Sequence, residues 1–203
     1  LPEGAMVQSW RGMEGAIEAV SIGTDVIVSP TSHCYLDYPL SSTNLEEIYS
    51  FQPRPEGTLG GPGRILGGEC NMWTERAPQE LVESKVFPRA IGLAEVLWSG
   101  PEFTGASDAY SDFIKRLEPH LDRLSILKVD YGMESVPVTL SLAVQSEKLY
   151  ATLTPSAEYI KGYTLFNGDS VLLGKSIEVV SHGTISASIN YRGRQLPRHE
   201  EFF

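Results

Sequence analysis

The chain has 203 residues, 41% hydrophobic and 21% charged, with a net charge of -10. That length and composition suit one large globular domain or two small ones. The acidic balance argues against a nucleic-acid or anionic-membrane partner, which would want basic patches, and no apolar run approaches the roughly 20 residues that span a bilayer.

The chain opens on Leu1-Pro2-Glu3-Gly4, without an initiating Met, and reads as a piece of a longer protein. A missing leader therefore says nothing about location. Residues 5–10 (AMVQSW) are expected as a short strand. Residues 13–22 are expected as a helix with Ala16, Ile17 and Val20 on one face and Gly23 as its stop. Residues 25–29 (DVIVS) form a second apolar strand closed by Pro30. A polar loop and a turn-rich stretch from Pro53 to Gly63 follow, then a third strand over 64–72.

A helix is expected over 86–98, with Pro88 near its first turn, where a missing N–H costs little. Ile91, Ala94, Glu95 and Trp98 fall at i, i+3, i+4 and i+7, which assigns Trp98 to the core and makes Glu95 structural, paired with Arg89 or a group from the sheet. Ser107 is expected to cap a last helix through about Leu127, buried along Tyr110, Phe113, Ile114, Leu117, Leu121 and Leu124. Continuous apolar strands alternating with helices imply a parallel sheet covered by helices. After Pro137 the pattern becomes all-β: short runs at 138–144, 149–153, 160–166, 177–180 and 184–191, separated by turns such as Asn167-Gly168-Asp169. This reads as a small sandwich. The expected units are residues 1–133 and 137–203, joined by a linker at Glu134–Pro137.

Two segments carry the chemistry. Cys34-Tyr35-Leu36-Asp37-Tyr38 and Cys70-Asn71-Met72-Trp73-Thr74-Glu75 each follow an expected strand, and each sets an aromatic ring two residues from a carboxylate. In extended backbone, i and i+2 share a side. A ring to stack on and an acid to accept hydroxyl hydrogen bonds make a sugar site, at the strand ends where such folds gather their chemistry. Trp10 also ends its strand. Cys34 and Cys70 are too few for a disulfide framework and are expected as free thiols. His33 has no second ligand at metal spacing, and His120, His182 and His199 are scattered, so no metal or other cofactor is expected. Gly60-Gly61-Pro62-Gly63 feeds a strand and is no phosphate cradle.

The ordered series WRGMEGAIEAV, GTDVIVSPTSHCYLDYP, ILGGECNMWTE and VFPRAIGLAEVLWS resembles the C-terminal part of the catalytic barrel of family 20 glycoside hydrolases, the β-N-acetylhexosaminidases, over roughly residues 5–100. The resemblance implies an α/β fold: the last three strands and helices of a (β/α)8 TIM barrel, with a sandwich like that appended to many bacterial members. It implies a retaining exo-enzyme that removes terminal β-linked N-acetylglucosamine or N-acetylgalactosamine from a glycan. The substrate's own acetamido group serves as nucleophile and passes through an oxazolinium ion. It also implies a location outside the cytoplasm.

Carried over residue by residue, Tyr35 matches the tyrosine whose hydroxyl donates to the acetamide oxygen, Asp37 an acid that accepts from a sugar hydroxyl, and Glu75 the acid at the 4-OH. Trp10 and Trp73 match walls around the sugar and its N-acetyl methyl. The family's adjacent Asp-Glu pair, which protonates the leaving oxygen and orients the acetamide, has no counterpart here; Glu46-Glu47 and Glu200-Glu201 stand in unrelated contexts. A sugar-binding arginine of the first barrel strand is also missing. The chain is therefore expected to be inactive alone, and the edges of a partial barrel invite self-association. Two other readings stay open: a non-catalytic carbohydrate-binding or structural module, and a retaining glycosidase using Glu75 with Asp37, which needs the two carboxylates about 5 Å apart.

Overall fold

The structure, a computed structural model, describes residues 1–156 and 160–195. The sequence expectations for His199 and Glu200-Glu201 lie outside the described residues. The chain divides into two compact units, Leu1–Ser135 and Val136–Phe203.

The first unit is built on a parallel sheet in the order β1 (Met6–Ser9), β2 (Asp25–Val28), β3 (Ile65–Gly68). Helix α1 (Glu14–Ser21) makes the crossover between β1 and β2 and buries Ala16, Ala19 and Val20. It stops at Gly23, whose φ of 84° suits a residue without a Cβ. Two short helices, α2 (Thr31–Cys34) and α3 (Leu45–Tyr49), interrupt what reads in the sequence as a polar loop. Asn44 caps α3 by accepting from the Glu47 N–H. The glycine-rich return to β3 runs tight against β2: a Cβ on Gly63 would lie 2.4 Å from the Thr24 carbonyl oxygen.

The strand expected over 64–72 ends at Gly68. Its register slips against β2 between Val26 and Ile27, leaving Leu66 as an extra residue, and beyond it only Asn71 pairs again, in an isolated parallel bridge with Tyr35. Such a bulge bends a strand end and re-aims the chain beyond it.

The expected helix over 86–98 is split. Helix α4 (Val82–Val86) ends before Pro88, and α5 (Arg89–Ser99) begins after it. The buried face of α5 is Arg89, Gly92, Leu93 and Val96, not the Ile91–Ala94–Glu95–Trp98 stripe. Trp98 is 93% exposed, which corrects its assignment to the core. The helix carries two apolar stripes, and the need to bury Arg89 selects the other one.

Short helix α6 (Pro101–Thr104) leads to α7 (Ala109–Ile126). Ser107 is not its cap: the N-cap is Asp108, without a side-chain bond. The stripe Phe113, Leu117, Leu121 and Leu124 is buried as expected, with Tyr110 and Ile114 at its margin. Phe113 stacks on Tyr49 at 4.7 Å between ring centres. The Tyr49 hydroxyl donates to Glu95 at 2.8 Å, and Arg116 pairs with the same carboxylate. Burial, then Glu95, pushes the Tyr49 phenol up to about 12. The partners of Glu95 are thus Tyr49 and Arg116, not Arg89.

The described strands of the second unit all pair antiparallel. One sheet has the order β4 (Val138–Gln145), β5 (Lys148–Pro155), β8 (Ser176–Glu178). The other has the order β10 (Arg194–Gln195), β9 (Ile185–Tyr191), β6 (Lys161–Phe166), β7 (Asp169–Leu172). Strand β7, only four residues long, is one the sequence reading missed. Two-residue turns at Ser146-Glu147, Asn167-Gly168 and Arg192-Gly193 all have positive φ, the geometry that matches hairpin twist. Ala151, Phe166 and Ile177 form a shared cluster with Val171, Val179 and Ile185, drawn from both sheets.

Phe113→Ala is expected to remove about 3–5 kcal/mol of stability, as truncations of buried aromatics do. Trp98→Ser is expected to stay within about 0.5 kcal/mol. Denaturant unfolding of the chain measures both; a large loss at Trp98 would restore it to the core.

Candidate active site

In a parallel sheet all strand C-termini lie at one end, so the segments after β1, β2 and β3 meet there. They are joined by backbone bonds. Ser29 N–H donates to the Ser9 carbonyl at 2.9 Å, and Thr31 N–H to that of Trp10 at 2.9 Å. Asn71 N–H donates to the Cys34 carbonyl at 2.7 Å, and Leu36 N–H to that of Asn71 at 2.8 Å. The Gln8 side chain reaches Ser29 Oγ at 3.0 Å and also donates to Glu69.

Neither aromatic–acid motif is extended. Tyr38 N–H donates to the Tyr35 carbonyl at 3.3 Å, and Arg76 N–H to that of Trp73 at 3.5 Å. Tyr35-Leu36-Asp37-Tyr38 and Trp73-Thr74-Glu75-Arg76 are therefore matched turns, each starting on the aromatic and carrying its acid in third place. The shared-side argument from extended backbone fails on this point. The fourth residues join the two turns instead: the Arg76 guanidinium lies 4.9 Å from the centre of the Tyr38 ring.

The two acids differ. Asp37 is 3% exposed, and its Oδ1 has no hydrogen-bond partner. A buried carboxylate oxygen left unmatched is costly unless a ligand or water completes it. Glu75 is exposed on its turn. The buried Asn71 Nδ2 also lacks a partner beside Tyr35.

Tyr35 is buried, and burial raises its phenol above the ordinary value; Trp73 works the other way, while Tyr38, Asp37 and Glu69 add to the rise. A raised phenol keeps its proton through neutral pH and remains a donor. Asp37 lies in the turn that starts on Tyr35, and Asn71, paired with Tyr35, stands two residues before Trp73. Trp73 and Trp10 are 53% and 44% exposed. The Arg11 guanidinium lies 4.8 Å from the Trp10 ring centre.

Cys34 is buried, Cys70 exposed, and both are free. Burial, then Cys70, then Glu69 pushes the Cys34 thiol up to about 12, so it is neither a nucleophile nor a ready ligand at neutral pH. Among the described residues no three His, Cys, Asp or Glu side chains gather to hold a metal, and no helix is long and apolar enough to cross a membrane.

The description "Glycosyl hydrolase family 20, catalytic domain" matches residues 1–101. The chain belongs to that family. A β-hexosaminidase of Porphyromonas gingivalis is 29% identical over 182 residues, covering 81% of this chain and 23% of that protein. β-Hexosaminidase subunit B1 of Dictyostelium discoideum is 29% identical over 150 residues, covering 74% of this chain and 25% of that subunit. The chain thus spans about a quarter of the length of these relatives. The crystal structure of a family 20 exo-β-N-acetylglucosaminidase from Vibrio harveyi, in complex with N-acetylglucosamine, superposes with a TM-score of 0.57 over 66% of this chain and 23% of that one, at 23% identity. At that identity the likeness establishes the fold.

Sequence reasoning missed Lys85 and Arg89 as site residues. Lys85, 8% exposed, donates from Nζ to the Asp37 carbonyl at 3.1 Å. Arg89 donates to several carbonyls of the segment after Tyr35. Lys85 ends one helix and Arg89 begins the next, and no sequence pattern marks either as a cation buried among carbonyls.

His33 packs on Phe51 with ring centres 5.3 Å apart and has Glu47 at 3.4 Å. Burial lowers its pKa from 6.5, against the pull of Glu47. The folded state holds the ring neutral where the unfolded chain would take a proton. Its stability contribution is therefore complete above about pH 6.5 and is lost as pH falls through that value toward the lowered folded one. Denaturant midpoints measured between about pH 7.5 and 5.5 are expected to fall on acidification, and His33→Phe to flatten the decline. A His33→Phe profile as steep as the parent's would contradict this.

Proposed function

We propose that the chain is the C-terminal part of a retaining exo-β-N-acetylhexosaminidase and forms one side of its active site. The observation that carries this reading is the buried Tyr35, paired with Asn71 at the strand C-termini, with the unmatched carboxylate of Asp37 in its turn and Trp73 on the turn that follows Asn71. On this reading β1, β2 and β3 are the last three strands of a (β/α)8 barrel, and residues 137–203 are an appended β-sandwich. The protein acts outside the cytoplasm on a glycan ending in N-acetylglucosamine or N-acetylgalactosamine.

The mechanism follows from the hydrogen bonds each group can make. The acetamide carbonyl oxygen of the substrate attacks the anomeric carbon as the glycosidic bond breaks, which gives an oxazolinium ion. Water later opens that ion with retention. The leaving oxygen takes its proton from a carboxylic acid, and a second carboxylate accepts from the acetamide N–H. This chain lacks that acidic pair. Tyr35 donates its O–H to the acetamide oxygen and holds it in line for attack. Trp73 and Trp10 enclose the N-acetyl methyl and the sugar face. Asp37 brings its unmatched Oδ1 to a sugar hydroxyl, and Glu75 accepts from the 4-OH.

In the full-length protein, Tyr35→Phe is expected to lower kcat on an aryl N-acetyl-β-glucosaminide by on the order of 10²-fold, the cost of losing one oriented donor. Glu75→Gln is expected to raise KM about tenfold, the worth of a charge-assisted hydrogen bond. The isolated chain should show no turnover. Unchanged kcat in Tyr35→Phe would remove the assigned role, and turnover by the isolated chain would transfer the acid–base chemistry to residues within it.

A further inference from the structure

We propose that Arg89 is a positioning residue of this site, acting through the turn Tyr35–Tyr38 on Tyr35 and Asp37. The proposal rests on the roles of Tyr35 and Asp37 in the proposed function.

Arg89 is 1% exposed, one of the most deeply buried side chains of the first unit. Burying a guanidinium is expensive unless its donors are matched. Its Nη1 donates to the Thr43 carbonyl at 2.7 Å and to the Tyr38 carbonyl at 3.2 Å, Nη2 donates to the Leu36 carbonyl, and Nε donates back to the Lys85 carbonyl at 2.8 Å. Three of these acceptors belong to one excursion of chain, residues 36–43. The Leu36 carbonyl matters most, because it belongs to the residue between Tyr35 and Asp37. Held there, it fixes the Leu36–Asp37 peptide plane, which carries Asp37 directly and sets the path of the turn that begins on Tyr35.

Lys85 adds a bond to the Asp37 carbonyl, from one turn earlier in the chain, before Pro88. The guanidinium therefore lies under the segment that follows β2, bonded to its carbonyls. A planar fork with fixed donor directions can hold several carbonyls at once; a lysine ammonium has the charge without that geometry. Arg89 touches no substrate on this account. It sets where the Tyr35 hydroxyl and the Asp37 carboxylate stand.

Because the Tyr35 bond is made to the reacting oxygen and the Asp37 bond to a spectator hydroxyl, the two contributions separate in kinetics. In the full-length protein, Arg89→Lys is expected to lower kcat by at least about tenfold and to raise KM severalfold on an aryl N-acetyl-β-glucosaminide. In a Tyr35→Phe background the same substitution is expected to change kcat by less than about threefold, because the donor it positions is gone, while the KM effect persists. A kcat loss of the same factor in both backgrounds, or full activity of Arg89→Lys, would overturn the proposal, since a lost active fraction scales kcat regardless of Tyr35. A silent Tyr35→Phe would overturn the reading of Tyr35 first, and this proposal with it. If Arg89→Lys does not fold by thermal melting, Lys85→Met tests the same clamp at Asp37. A severalfold rise in KM with kcat within about threefold supports the proposal, and an unchanged KM overturns it.

Discussion

A buried guanidinium is the constraint around which the first unit is arranged. Arg89 cannot leave water without a set of acceptors. It finds them in the carbonyls of residues 36–43, backbone that makes no ladder of its own after Tyr35. The arrangement satisfies both partners: an excursion of irregular chain would otherwise carry orphaned carbonyls into the interior. The cation also fixes the rotation of α5. With Arg89 turned inward, Gly92, Leu93 and Val96 follow it, and Trp98 faces outward.

The strand ends supply the second half of the geometry. Parallel strands bring three segments to one end, and short backbone bonds from β1 to β2 and from β2 to β3 continue the sheet's order beyond its last regular residue. Two similar turns then rise from this platform. Their fourth residues, Tyr38 and Arg76, stack on each other, so the turn bearing Asp37 and the turn bearing Glu75 are held as a pair. On the first of them stands the buried Tyr35 phenol, a hydrogen-bond donor at neutral pH. Rigid backbone below and exposed aromatic side chains above are what a site needs if it is to hold an acetamido group in an attacking position.

Much of this was legible in the sequence, for identifiable reasons. The strands β1 and β2 follow from β-branched and aliphatic runs, α1 from its 3.6 periodicity and Gly23, and α7 from a long unbroken stripe. The candidate residues stood out because aromatic–acid pairs at strand ends suit a sugar site and because their motifs, in order, resemble a known family. The errors came from tertiary effects. Trp98 sits on a regular apolar stripe, and only the demand of Arg89 for carbonyls shows that the opposite stripe is buried. The pairs at 35–37 and 73–75 read as extended because the residues beside them favour strands; the turns arise from a bulge at Leu66 and from bonds made across segments. Lys85 and Arg89 were invisible as site residues because buried cations bound to carbonyls carry no pattern in sequence. Helices α2 and α3 are four and five residues long, too short for periodicity to register.

The central claim is that Tyr35, Trp73 and their neighbours form one wall of an N-acetylhexosamine site. The most direct measurement is a titration of the 203-residue chain with N-acetylglucosamine, followed through its three tryptophan indole N–H resonances, with glucose as control. The account predicts that Trp73 and Trp10 shift with N-acetylglucosamine, that glucose moves them less, and that Trp98 stays in place. Equal response to both sugars, or a shift at Trp98 with none at Trp73, would contradict it.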